Sequence, residues 1–206
     1  KYTEEEHKEF IPEEHQFYRD KLIEAFQFKK LNYFKGVCTI SDVGENDFNW
    51  QLELNEGTDT DLTFSNLLIN SNYPRFIQEI IPELKNREIV FIVNKNAKLD
   101  NLGLNIIKTF RVGSNCIVND YDKVEEIKNW ILDNNVENAV FLSSAASLSN
   151  FIIHECFKAC DNNTYIDIGS TLNPFIGLQG WQYSRGYLQH YILGRKNRYG
   201  EQVDVW

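Results

Sequence analysis

Two short stretches combine residue types that suit an oxygen-rich or anionic ligand. The first is Ser143-Ser144-Ala145-Ala146-Ser147-Leu148-Ser149-Asn150, a run of small and hydroxyl-bearing side chains. Small side chains let a ligand approach the backbone, and a helix starting in such a run presents N–H groups and a positive dipole end to an anion. Ser147 or Ser149 would equally serve as a plain helix cap, and spacing alone leaves both roles open. The second stretch is Asp167-Ile168-Gly169-Ser170-Thr171-Leu172-Asn173-Pro174. Asp167 lies in an apolar run, where a carboxylate is costly unless bonded or used. It either bonds its own loop amides or faces a ligand hydroxyl, where it would act as a general base. Gly169 permits a tight turn just after it.

Acidic pairs are the next source of chemistry. Asp59-Thr60-Asp61 is a D-x-D triplet, and Asp42 with Glu45 is a second pair. Paired carboxylates hold a divalent cation such as Mn²⁺ or Mg²⁺, which in turn bridges a diphosphate. In an acidic chain the same spacing also arises as a solvated turn. The histidines His7, His15, His154 and His190 form no HxH or HExxH pair, and Cys156 and Cys160 have no matching second pair. A structural zinc site is therefore not expected. No G-x-S-x-G elbow, G-x-G-x-x-G fingerprint or phosphate-binding G-x-x-x-x-G-K-[ST] loop occurs. Near the end of the chain, Trp181, Tyr183, Arg185 and Tyr187 cluster. Aromatic faces suit sugar rings and arginine suits phosphates, although a packed helix with an arginine ion pair reads the same way.

The elements that must position these residues follow from periodicity. Apolar residues between Glu13 and Lys30 fit an amphipathic helix. Gly36 to Ile40 reads as a short buried strand, Phe48 to Leu54 has ambiguous period, and Phe64 to Asn70 reads as a strand. Tyr73-Pro74 opens a helix that Pro82 is expected to kink or end. Glu88 to Val93 is apolar almost throughout, as in a strand covered on both faces. Further strands are expected at Phe110 to Val112, Ala139 to Leu142 and Thr164 to Ile168. Helices are expected from Val124 to before Asn134, over Leu148 to Phe157, and over 185–194. Strands alternating with helices predict an α/β fold, a doubly wound, mostly parallel sheet with helices on both faces. Ligands then bind at the carboxyl ends of the strands, which is where both stretches fall.

The 206 residues suit one domain over 1–206. The chain begins at Lys1 and contains no Met, so it is expected to be excised from a longer protein. A net charge of −9 argues against non-specific nucleic-acid binding, and no apolar run is long enough to cross a membrane. The four cysteines read as free thiols in a reducing, cytoplasmic setting, and the sequon at Asn162 carries little weight without a signal peptide.

The run Asn163 to Phe175, followed by Ser184-Arg185-Gly186-Tyr187, resembles the C-terminal signature of the GT-D type glycosyltransferases. The preceding stretch, Val140 to Glu155, is similar to the element before that signature, and similarity extends through 64–73 and 112–121. The resemblance implies a Rossmann-like fold and transfer of a sugar from a nucleotide-diphosphate donor, a UDP-sugar first, to a hydroxyl of a glycan or glycoprotein. On that reading Ser143, Ser144, Ser147, Ser149, Asn150, Ser170, Thr171 and Arg185 hold the donor. Asp167 is the base or a sugar-hydroxyl ligand. Mn²⁺ or Mg²⁺ falls to Asp59 and Asp61, with Asp42 and Glu45 as second choice. Two departures stand out. The family's D-x-E motif has its nearest match in Asp42-Val43-Gly44-Glu45, one residue too long, and Asn173 stands where the family carries Asp before Pro. Two rivals differ in class. A non-catalytic nucleotide- or carbohydrate-binding module would bind without turnover. A Rossmann-like methyltransferase would need glycines after its first strand, whereas Gly36 precedes it.

Overall fold

The computed structural model describes residue 11 and residues 13–56, 59–69, 72–100 and 102–178. The Arg185 cluster and the helix expected over 185–194 lie outside the described residues.

The order is α1 (Gln16–Gln27), β1 (Lys35–Val37), α2 (Ile40–Val43), α3 (Glu45–Asn55), a 3-10 turn (Asp59–Asp61) and β2 (Leu62–Phe64). Then come α4, β3 (Glu88–Asn94), β4 (Asn105–Val112), α5 (Cys116–Asn119), α6 (Lys123–Asp133), β5 (Val140–Ser143), α7 (Leu148–Ala159) and β6 (Thr164–Asp167). α4 is built of Tyr73–Arg75, a π-helical stretch Phe76–Ile80, and Ile81–Lys85.

The main sheet has the order β4-β3-β5-β6, and all its neighbours run parallel. β3 supplies its centre because its alternate residues are all apolar. Ile89, Phe91 and Val93 pack on one face with Tyr73, Ile77 and Ile81 of α4. Val90 and Ile92 pack on the other with α6 and α7, through Ile127, Ile131, Phe151 and Ile152. Helices thus cover both faces, as the doubly wound reading predicts. The order reverses at β3: β4 lies on one side of it, and the chain crosses back to place β5 on the other. β1 and β2 form a separate two-stranded parallel sheet.

Several boundaries differ from expectation, each for a physical reason. The ambiguous stretch Phe48 to Leu54 is helical, within α3, where Glu45 and Asp47 meet the positive end of the helix dipole. The strand expected at Phe64 to Asn70 ends at Phe64 instead, because its partner β1 has three residues and the Ser65 N–H makes the last bond, to the Val37 carbonyl at 2.8 Å. There the two backbones touch, and a Cβ on Gly36 would sit 2.9 Å from Ser65 Cα. Pro82 does not end its helix. The widened π-helical turn just before it absorbs the missing hydrogen bond, and the helix runs on to Lys85. β4 begins at Asn105, earlier than expected, because it pairs along the whole of β3; as an edge strand it carries polar residues such as Lys108 that interrupt the apolar pattern.

Candidate active site

A cleft of about 750 Å³ opens between the two sheets. One wall is the carboxyl end of β6, its following loop and the start of α7: Asp167, Gly169, Ser170, Thr171, Ser147 and Asn150. The other wall comes from α1, β1, α3, β2 and the turn after β2. The site residues read from the sequence therefore divide. Asp167, Ser147, Asn150, Ser170 and Thr171 line the cleft.

Ser143 and Ser149 do not line it; they are fully buried beneath it. Ser143 Oγ donates to Ser149 Oγ at 2.8 Å, and the Ala145 N–H reaches the same oxygen at 3.1 Å. Ser144 also turns inward at its backbone, its N–H bonding the Ile92 carbonyl at 2.8 Å. Ser147 sits at the cap position of α7 and makes no side-chain cap bond. The N–H groups of Leu148, Ser149 and Asn150 close turns onto the carbonyls of Ala145, Ala146 and Ser147. The expected free N–H cradle is thus largely spent inside the loop. Ala146 holds φ of 45°, a left-handed conformation a non-glycine residue seldom adopts.

Asp167 closes β6 in register with Ser143. Its Oδ1 accepts the Gly169 N–H at 2.9 Å, and Gly169 then turns the chain with a left-handed φ of 51°. Surrounding protein crowds the carboxyl and pushes its pKa up to about 6, while the Gly169 N–H and the Ser149 hydroxyl pull it partly back. The residue nonetheless exposes surface to the cleft. Water on that side tempers the shift, and its upward direction is what matters for chemistry. A carboxylate of raised pKa, open to a cleft and held from behind by a buried serine, fits a proton acceptor.

The loop after Gly169 carries a second signal. Thr171 Oγ1 and Asn173 Oδ1 are buried with no hydrogen-bond partner among the described residues. Thr171 is 1% exposed and lines the cleft. Buried polar atoms are normally paired, and the Thr171 hydroxyl, lying just behind the cleft wall, is an exception among the described residues.

The expected metal ligands are placed differently. Asp61 Oδ2 takes Lys35 Nζ at 2.5 Å and Lys29 Nζ at 3.0 Å, and Asn55 donates to Oδ1 at 3.1 Å. Desolvation pushes its carboxyl up, but these bonds outweigh that and hold it well below the usual carboxylate range. Lys35, on the cleft wall, is itself lowered by burial and partly restored by Asp61. The short contact fixes the two as an ion pair. Asp59 is exposed in the same 3-10 turn. Asp42 Oδ2 caps its own helix, accepting from Thr39 N at 3.2 Å and Thr39 Oγ1 at 2.6 Å, and Glu45 begins α3. In each pair one carboxylate is already engaged, Asp61 by two lysines and Asn55, and Asp42 by Thr39, while Asp59 and Glu45 stay exposed. The converging group among the described residues is Glu24, His154 and Glu155. Lys158 already spans its carboxylates, at 3.6 Å from Glu24 and 3.2 Å from Glu155.

Phe34, Trp50 and Phe64 also line the cleft and were missed by sequence reading. In a one-dimensional pattern an exposed aromatic looks the same as a core one.

None of the four cysteines forms a disulfide. No helix among the described residues is long and apolar enough to cross a membrane.

No family model matches the sequence, and no curated protein matches it significantly. Solved structures do. One is described as showing that "the highly conserved domain of unknown function 1792 has a distinct glycosyltransferase fold". It aligns with TM-score 0.54 at 11% identity over 83% of this chain and 67% of its own. A second, "a new glycosyltransferase (DUF1792) from Streptococcus sanguinis", aligns with TM-score 0.51 at 12% identity over 92% of this chain and 75% of its own. A selenomethionine form of the 1792 domain gives TM-score 0.50 at 13% identity. At such identities the likeness speaks for the fold, and it agrees with the resemblance carried by the Asn163 to Phe175 stretch: this chain shares the glycosyltransferase fold of the 1792 domain.

Proposed function

We propose that the chain is a glycosyltransferase that moves a sugar from a nucleotide-diphosphate donor, a UDP-sugar first, to a hydroxyl of a glycan or glycoprotein. The observation that carries this reading is Asp167, a carboxylate of raised pKa facing a cleft beside the orphaned Thr171 hydroxyl. The glycosyltransferase fold of the structural neighbours supports it.

In the reaction a bond forms between the acceptor oxygen and the anomeric carbon, while the bond from that carbon to the diphosphate oxygen breaks. Asp167 takes the acceptor's hydroxyl proton. The electron pair of the broken bond leaves with the diphosphate. Ser147, Asn150, Ser170 and Thr171 offer hydrogen bonds to the donor from the same wall. Ser149 holds Asp167 from behind through its hydroxyl. Arg185 is assigned the leaving phosphate, with Ser143 and Ser144 shaping the loop beneath. A divalent ion, when bound, would screen the diphosphate's charge.

Thermal-shift titration with UDP-, GDP- and CMP-sugars, each with and without Mn²⁺, tests this reading. A rise in Tm with one nucleotide series, joined to release of sugar or nucleotide, supports it. Binding without turnover in the presence of acceptors makes the chain a binding module. No shift at millimolar ligand overturns the reading.

A further inference from the structure

We propose that the cleft wall facing Asp167 is an acceptor-sugar subsite, with the indole of Trp50 as its stacking platform. The inference rests on the glycosyltransferase reading and deepens it. Trp50, Phe34 and Phe64 line the cleft while remaining 52%, 63% and 51% exposed. They come from three separate elements, α3, β1 with its approach, and β2. Large rings left in water around one opening are a feature of binding surfaces more than of solvated ones. An aromatic face gives a pyranose ring's C–H face dispersion contacts, and the sugar's hydroxyls stay free at its rim to bond.

A polar group for those hydroxyls is at hand. On the aromatic wall, Ser65 Oγ makes, among the described residues, only a long contact to Cys38 Sγ, at 3.7 Å. Charge selects the occupant. Lys35 is the cation among the described lining residues, and it is bound to Asp61 and to the Phe28 carbonyl. Asp167 adds a carboxylate. A wall of aromatic rings with its one ammonium neutralised, facing a carboxylate, suits a neutral hydroxyl-bearing ring and disfavours a diphosphate. A sugar stacked on Trp50 also needs only one hydroxyl aimed across the cleft at Asp167.

The test uses the whole chain and two probes, UDP and a panel of methyl pyranosides, measured by titration calorimetry on the native protein, Trp50→Ala and Trp50→Phe. Trp50 is half exposed, so truncation should leave Tm close to native; urea unfolding checks this. The expected result is that Trp50→Ala weakens pyranoside binding about tenfold or more while UDP affinity changes less than about twofold. Trp50→Phe should recover most of the loss. Weakened UDP binding with unchanged pyranoside binding would assign the ring to the nucleobase and overturn the proposal. So would a native protein that binds UDP but none of the pyranosides at tens of millimolar. If neither probe binds, the glycosyltransferase reading itself fails, which is a distinct outcome.

Discussion

The loops after β5 and β6 leave adjacent strands at the same edge of the sheet, yet they are built in opposite ways. The loop after β5 closes on itself: Ser149 Oγ accepts from Ser143 and Ala145, and the first N–H groups of α7 bond back onto the turn. The loop after β6 is left incomplete. Its Thr171 and Asn173 keep buried polar atoms without partners among the described residues, and Asp167 carries a raised pKa at the cleft. The contrast teaches that small hydroxyl residues at a strand's carboxyl end are not evidence of ligand contact by themselves. What distinguishes the two loops is whether their polar groups are already satisfied. On the proposed reading the first loop supports and the second acts, with Ser149 joining them.

The largest expected effect is at Asp167. Asp167→Asn keeps the shape and removes the proton acceptor, so kcat for sugar transfer should fall about 100-fold or more while the variant stays folded. A variant that loses stability and still turns over at near-native kcat would make Asp167 a turn anchor. Next comes Ser149→Ala, which strands the Ser143 hydroxyl and the Ala145 N–H in the interior. Urea unfolding should show a loss of about 1–3 kcal/mol. A change within about 0.5 kcal/mol would erase the supporting role of the first loop. Thr171→Val tests the reverse case. It replaces an orphaned hydroxyl by a methyl group of the same shape, so stability should hold or rise by less than about 1 kcal/mol. Donor affinity should drop about tenfold by calorimetry if the hydroxyl serves the ligand. An unchanged affinity would leave the orphan unexplained by donor binding.

A further effect is in the pH dependence. The folded-state pKa of Asp167, about 6, lies above the roughly 4 of an unfolded aspartate. The native state therefore binds this proton more tightly than the unfolded chain does. The resulting stability is complete below pH about 4 and fades as pH rises through about 6. Over that window the native chain should lose stability relative to Asp167→Asn, and transfer activity should rise as the carboxylate forms. A pH-independent stability difference would show that water in the cleft cancels the crowding.

Much of the frame is legible in the sequence. β3 announces itself because both of its faces are apolar, and α6 and α7 follow from helical spacing; together these dictate a parallel sheet with covered faces. Asp167 is legible too, because a carboxylate at the end of an apolar strand must be bonded or used. Other features needed three dimensions. Asp59-Thr60-Asp61 has the spacing of a metal motif, but only the fold brings Lys29 and Lys35 onto Asp61, residues far from it in the chain. Ser143 and Ser149 look like ligand residues until the turn folds one hydroxyl onto the other. Trp50 lies in a stretch of ambiguous period, and only the meeting of the small sheet with the main one turns its ring toward a cleft. Local pattern records which residues are buried along one element. Which polar groups find partners, and which rings find none, depends on contacts between elements that no sequence spacing encodes.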